Sequence, residues 1–274
     1  MYLPMGGLML AFKEYKGNLG ILGSPWVGLE NFRNLFKNAE FFDSVFRTLK
    51  INALRILVTF PVPIFLALLF NELKAVRYKK VLQTLFTFPH FLSWIIIAGL
   101  IRNLLANDGV VNGIIRQFGG DTVSFIGSKQ LFLPLLFLSD IWKEAGWGCI
   151  IYLAAISGID QEQYEAADID GASRLQRMFR ITVPNIMPTV AIMFVITVGG
   201  IMNAGFDQIF NMTNAAVRET GEILDMYIYR VTFQSSPDFG FSMAVSLLRS
   251  LVNMVLLFIA DRGSRYMGGY GLFS

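Results

Sequence analysis

The chain has 274 residues, of which 54% are hydrophobic and only 16% charged. Soluble domains carry about a quarter charged residues, so a water-dissolved globule is excluded and lipid is the expected solvent. A net charge of +3 would suit a nucleic-acid binder, but in a membrane chain the placement of the cations matters more than their sum. The chain begins with an apolar stretch, residues 2–12, about half as long as the ~20 residues a membrane-crossing helix needs. It has neither the basic start nor the cleavage site of a signal peptide, and reads as the outer end of a first helix that starts upstream. Residues 17–28 form a turn-rich outer loop. Residues 29–37 (LENFRNLFK) put Leu29, Phe32, Leu35 and Phe36 on one face and the charged side chains on another, the pattern of a short helix lying flat at the interface. Five stretches then reach spanning length: residues 51–70, 85–105, 131–157, 186–206 and 241–260. Pro61 and Pro63 predict a kink in the first, and Pro89 another near the start of the second. Residues 107–130 are Gly/Asn-rich, with a short helix expected near 112–118. Cys149, the one cysteine, excludes an internal disulfide and reads as a small packing residue. Gly199, Gly200 and Gly205 permit close helix approach, in the bundle centre or against a partner. Residues 207–240 are too long for a turn and are expected to fold back toward a pore.

Lys74, Arg77, Lys79 and Lys80 crowd the link between the first two of these spans. Arg174, Arg177 and Arg180 lie after the third, and Arg262 and Arg265 follow the last. With alternating spans these regions share one side, which the positive-inside rule makes cytoplasmic. The opposite loops, though as long or longer, carry only Arg116, Lys129, Arg218 and Arg230. Residues 13–50 break the rule with several outer cations, offset by Glu14, Glu30, Glu40 and Asp43.

The cytoplasmic stretch 163–184 (QYEAADIDGASRLQRMFRITVP) spends over twenty residues where a chain reversal needs a handful. It reads as two short amphipathic helices, 163–171 and 172–180, with Gly171 as the permissive break. Small residues Ala166, Ala167 and Ala172 would let another protein approach the backbone. Glu165 and the arginines offer charge at a rim, and Met178 and Phe179 offer apolar anchors. The plain reading is a helix that steadies the bundle; the sharper one is a docking knob.

Glu165-Ala166-Ala167, Asp170-Gly171-Ala172, Phe179, Ile181 and Pro184 resemble the coupling (EAA) loop of ABC-importer permeases. The segments PMGGLMLAFKEY, SPWVGLENF, FPHFLSW, DIWKEAGWG and NAGFDQIF are similar to carbohydrate permeases of the LplB type, whose core resembles the maltose-importer permeases. The resemblance implies an all-α polytopic membrane protein with a MetI-like ABC-importer transmembrane domain. It implies about six helices, the first truncated, and a cytoplasmic coupling helix–turn–helix. Residues 1–47 would hold the truncated helix and outer amphipathic segment. The permease core would be 48–262, with the coupling loop at 160–184, and 263–274 a cytoplasmic tail. The implied function is a non-catalytic permease subunit importing oligosaccharides, such as pectin-, xylan- or alginate-derived fragments, across a bacterial inner membrane. The implied partners are a second related permease subunit in a heterodimer, two ATPase subunits, an extracytoplasmic sugar-binding protein and membrane lipid, with no nucleic acid. The resemblance assigns ATPase docking to Glu165, Ala166, Ala167, Asp170, Gly171, Ala172 and Phe179. The sequence has no GxxxxGK[ST] phosphate loop, so ATP and Mg2+ would be bound by the partner ATPase and no cofactor by this chain.

For the cargo, aromatic faces and planar polar groups are the expected grips. Asp140, Trp142, Lys143, Glu144 and Trp147 share one apolar span, where ionisable groups are costly and face a bundle interior or wet cavity. They line a pathway or form a structural ion pair between Asp140 and Lys143 at helical spacing. Asn203, Phe206, Asp207 and Gln208 fall near the outer end of the next span, beside a translocation mouth. His90, the sole histidine, follows Pro89 near a cytoplasmic helix end and reads as packing or an end cap; alone it makes no metal site. An ion-coupled secondary transporter could use Asp140, Lys143 and Glu144 as a relay, but it would not need a docking loop. An intramembrane enzyme finds no catalytic constellation.

Overall fold

The computed structural model describes residues 3–203, 205–234, 238–268 and 271. Among them the regular structure is helical, with one isolated bridge between Lys13 and Trp26. Leu3–Phe12 is a 3-10 helix laid along the last span, with Leu10 and Ala11 buried. Helix α1 (Glu30–Lys37) is the expected amphipathic segment and buries Asn31 and Leu35. The Asn38 side chain then accepts from the Glu40 and Phe41 N–H groups and caps α2 (Ala39–Thr59).

Helix α3 (Pro61–Glu72) continues α2 through Phe60, which keeps helical dihedrals of φ −60° and ψ −39°. Pro61 and Pro63 have no N–H to donate there, so the backbone hydrogen bonding lapses while the helical dihedrals continue. Together α2 and α3 make a 34-residue apolar stretch, Ala39–Glu72. Three others among the described residues are also long and apolar enough to cross a membrane: Trp94–Gln117, Arg174–Gly199 and Phe239–Tyr266.

The span expected at 85–105 is not continuous. It is split into α4 (Val76–Thr87), a 3-10 turn Phe88–Phe91, and α5 (Trp94–Leu105). Pro89 removes a donor, Leu92 is extended, and the Ser93 side chain accepts from the Ile96 N–H to start a new helix. A short helix, α6 (Val110–Gln117), follows as expected. The third expected span is α7 (Lys129–Ser157), whose 29 residues reach about 43 Å at 1.5 Å per residue. Asp140, Lys143 and Glu144 near its middle are why length rather than hydropathy identifies it.

Beyond α7 come α8 (Gln161–Ile169) and α9 (Arg174–Arg177). Here the sequence expectation of two separate short helices fails. Helix α9 does not stop near residue 180. It passes through a π-turn, Met178–Thr182, straight into α10 (Val183–Gly199), so the second coupling helix is the cytoplasmic end of a span. Pro184 lies within the first turn of α10, where its missing N–H is tolerated. Helix α10 ends at Gly199 rather than 206, and Phe206 opens a separate helix, α11 (Phe206–Met212). The outer segment folds back, as expected, through α11 and α12 (Leu224–Tyr229) onto α2, α5 and α7 before α13 (Phe239–Gly268) closes the bundle.

Three apolar clusters hold this together. Ile51, Ala98, Phe132, Leu136 and Ile209 join α2, α5, α7 and α11. Leu35, Phe41, Leu224, Tyr227 and Val245 join α1, α2, α12 and α13. Ala67, Phe70, Cys149, Tyr152 and Ile186 join α3, α7 and α10, which gives Cys149 its packing role. Leu57, Leu69, Ile95 and Phe258 stay exposed, as surfaces facing lipid or another subunit must. The tightest contact is between α7 and the end of α4. A Cβ at Gly146 would stand 2.0 Å from the Phe86 carbonyl oxygen, so only glycine lets the two backbones meet there.

Candidate functional site

At the cytoplasmic end, the Asp160 side chain accepts from the Glu162 N–H and starts α8. The helix stops in a Schellman pair: the Gly171 N–H donates to the Asp168 carbonyl, and the Ala172 N–H to the Ala167 carbonyl at 2.9 Å. This closure needs a left-handed residue, and Gly171 supplies φ +72°. Two residues later Ser173 and Gln176 form a reciprocal capping box that starts α9. The resulting hairpin is braced by an Arg177–Asp168 ion pair, by Tyr164 to Thr182 at 2.9 Å, and by Asn185 to Gln163 at 3.0 Å. With Arg177 and Asp168 spent on the brace, Glu165 and Asp170 make no ion pair among the described residues. Glu165, Ala166, Asp170, Gly171 and Phe179 are exposed, while Ala167 and Ala172 are half-buried. Exposed Ile169 and Leu175 add an apolar rim that sequence reasoning did not include. The hairpin thus presents small, apolar and acidic groups on a rigid tip.

Within the bundle, the structure sorts the charged residues differently from the sequence. Asp140 does not pair with Lys143. Lys143 Nζ reaches Glu144 Oε1 at 2.8 Å and the His90 carbonyl at 2.7 Å, and lies 5.6 Å over the Trp94 ring. Asp140 instead interacts electrostatically with Arg55 of α2. Arg55 is also held by Gln208 Oε1 at 2.7 Å, and Gln208 Nε2 donates to the Leu136 carbonyl and to Ser139. The reason is helix geometry: residues 140, 144 and 147 share one face of α7, and Asp140, Glu144 and Trp147 line one cavity of about 220 Å³ with Pro63 and Met193. Lys143 points behind it and is buried. Trp142 projects elsewhere, half its surface exposed, and does not line the cavity.

His90 is not an end cap. It sits in the break between α4 and α5, its Nδ1 2.6 Å from Glu144 Oε2 and its ring stacked on Trp147 at 4.4 Å. Sequence reasoning missed Arg55 altogether, although an arginine inside an apolar span is itself the signal. Asn203, Phe206 and Asp207 do not join this cavity either. Asn203 meets Asn253 of α13, Phe206 packs on Phe210 and Tyr229, and Asp207 is exposed. Gln208, the remaining member of that group, is what ties α11 to the charged centre.

On the outer side, Lys13 is buried and donates to the Ile21 and Leu22 carbonyls, so one of the anomalous outer cations is spent inside the 17–28 loop. Burial works against the charge of Arg230, but hydrogen bonds to Glu40 and Glu222 prevail and push its guanidinium further up. Burial also pushes the Tyr227 hydroxyl up to about 12.

Residues 56–265 match the family of binding-protein-dependent transport system inner membrane components. The chain is 41% identical over 99% of its length to the polygalacturonan/rhamnogalacturonan transport system permease YteP of Bacillus subtilis, 85% of which is covered. It is 40% identical over 99% of its length to protein LplB of the same organism, 86% of which is covered. Its fold superposes on a chain of a bacterial alginate ABC transporter, crystallised with an alginate pentasaccharide-bound periplasmic protein. The TM-score is 0.89 and the identity 37%, over 99% of this chain and 91% of that one.

Proposed function

Because the chain belongs to the binding-protein-dependent transport system inner membrane components, and is thus a permease subunit of an ABC importer, we propose that it passes oligosaccharides released from polysaccharides such as pectin or alginate. A relative is a polygalacturonan/rhamnogalacturonan permease and a structural neighbour belongs to an alginate transporter, and these cargoes favour that substrate class. In this reading a periplasmic protein delivers the sugar. A second permease completes the channel, and two ATPase subunits, which bind ATP and Mg2+, drive it. This chain performs no catalysis.

The observation that carries the coupling role is the braced hairpin tip, where Glu165 and Asp170 have no ion pair among the described residues and sit beside exposed apolar side chains. An ATPase groove supplying a cation for Glu165 and a socket for Phe179 would complete it. Because the hairpin runs unbroken from α9 into α10, a push on the tip reaches the bundle without a flexible joint. In this reading the Asp140–Glu144–Trp147 cavity is part of the sugar's pathway, with the Arg55–Gln208 contact next to Asp140. The ion-coupled reading has no support in the family or its relatives. The test is Glu165→Lys: the complex should lose ATPase association and ATP-driven uptake while the permease remains folded. Unchanged association and uptake would sink the coupling assignment.

A further inference from the structure

The outer segment contains a second built cavity, distinct from the intramembrane one. Its volume is about 320 Å³, at the small end of the roughly 300–1,000 Å³ range of ligand pockets. Phe210 and Tyr229 form its aromatic wall, with ring centroids 5.2 Å apart and planes at 73°. Arg218, Arg230, Asn214 and Thr213 supply its polar lining.

Charge bookkeeping singles out one of the two guanidinium groups. Arg230 is held by both Glu40 and Glu222. Two further carboxylates of this segment are engaged as well, Glu219 by Lys129 at 2.6 Å and Asp225 by Arg249. Arg218 is exposed and has no ion pair among the described residues. The wall also continues beyond the cavity. Phe206 stacks on Phe210 at 5.2 Å, and Tyr229 meets Phe233 at 5.5 Å, which in turn meets Phe239 at 6.4 Å. This row of rings ends at Phe206, two residues from the Gln208 that holds Arg55.

We propose that this cavity is an entry subsite for one carboxylate-bearing sugar residue of the incoming oligosaccharide, with the carboxylate on Arg218 and the pyranose ring against Tyr229 and Phe210. The chemistry favours an acidic sugar over a neutral one. A guanidinium presents paired donors that match a carboxylate, and among the described residues no Asp or Glu lines the cavity to neutralise it. Neighbouring sugar units would lie along the aromatic row toward the charged centre. The subsite deepens the oligosaccharide-importer reading and rests on it.

The test uses the assembled permease–ATPase complex in nanodiscs, without the binding protein. Trigalacturonate and its carboxyl-reduced, neutral counterpart serve as probes in equilibrium binding. The wild type should prefer the acidic probe. Arg218→Gln should weaken trigalacturonate binding about tenfold or more, as loss of a charge-assisted contact does, and leave the neutral probe within about twofold. Arg218→Lys should recover part of the preference, and Tyr229→Ala should weaken both probes. Because Arg218 is exposed and has no ion pair among the described residues, its substitution should leave folding intact, which a melting measurement on the variant checks. An acid-to-neutral ratio unchanged by Arg218→Gln, or a wild type with no preference, overturns the subsite. ATP-dependent oligosaccharide uptake by the same complex, reconstituted with its binding protein, separates the two claims. Uptake with an unmoved ratio removes only the subsite, whereas no uptake of any oligosaccharide removes the cargo reading beneath it.

Discussion

Replacing Gly146 by alanine should break the contact that positions the charged centre. The added Cβ would lie 2.0 Å from the Phe86 oxygen, 2.2 Å from its carbon and 2.7 Å from the Thr87 nitrogen. Real Cβ atoms essentially never approach closer than 3.0 Å, so the backbones must separate by about 1 Å. All three obstacles are backbone, and no side chain can swing aside. Overpacking of this kind costs about 1–3 kcal/mol, occasionally more. The displaced end of α4 leads into Phe88–Phe91, which carries the His90 contacts to Lys143 and Glu144, so uptake should fall together with stability. Gly99 in α5 is the control: its Cβ would meet nothing within 4 Å, and alanine there favours the helix by up to about 1 kcal/mol. The assay is thermal unfolding of the purified complex, paired with ATP-driven uptake. Gly146→Ala should melt clearly below wild type, and Gly99→Ala at or above it. Equal melting temperatures for the two variants would refute the close-approach argument.

Gly171→Ala should cost about 1–2 kcal/mol from its left-handed backbone alone, since nothing lies within 4 Å of the new Cβ. The chain should therefore fold, and any large loss of uptake would report on docking, read by co-purification of the ATPase. Gln208→Leu removes the Arg55 contact and the bonds to Leu136 and Ser139; about 1–3 kcal/mol of destabilisation is expected for the groups left without it, measurable by melting, with Gln208→Asn milder. Lys143→Met should destabilise by no more than about 3 kcal/mol, the low end for a broken buried pair, because Glu144 is 39% exposed and water screens it. The hydrogen bond from Lys129 holds the Glu219 carboxyl below its ordinary value near 4.5. Its stabilising effect is therefore present above that value and disappears as the pH falls through the depressed one. Wild type and Glu219→Gln should differ slightly in melting at pH 6 and converge toward pH 3.

The identity of this protein lay close to the surface of its sequence because membrane solvation is a strict filter. Length and apolarity place helices whether or not their neighbours are known, so the spans of α2–α3, α10 and α13 are legible. So is the amphipathic α1, and the coupling turn is fixed by the backbone freedom Gly171 alone provides. What the sequence could not determine was which charges face each other. Helical spacing within α7 nominated Asp140 and Lys143 as partners, because only neighbours along one helix are visible in a linear text. The third dimension gave Lys143 to Glu144 and set Arg55 and Gln208, over 150 residues apart along the chain, beside Asp140. It also turned His90 from a helix-end residue into a partner of Glu144 and Trp147, since the break at Pro89 could be foreseen but not the helix that fills it. Continuity was the last such decision. Arg174 through Gly199 run as one helix because the π-turn absorbs a residue without breaking hydrogen bonding, and that packing choice, invisible in composition, is what makes the hairpin tip continuous with the bundle.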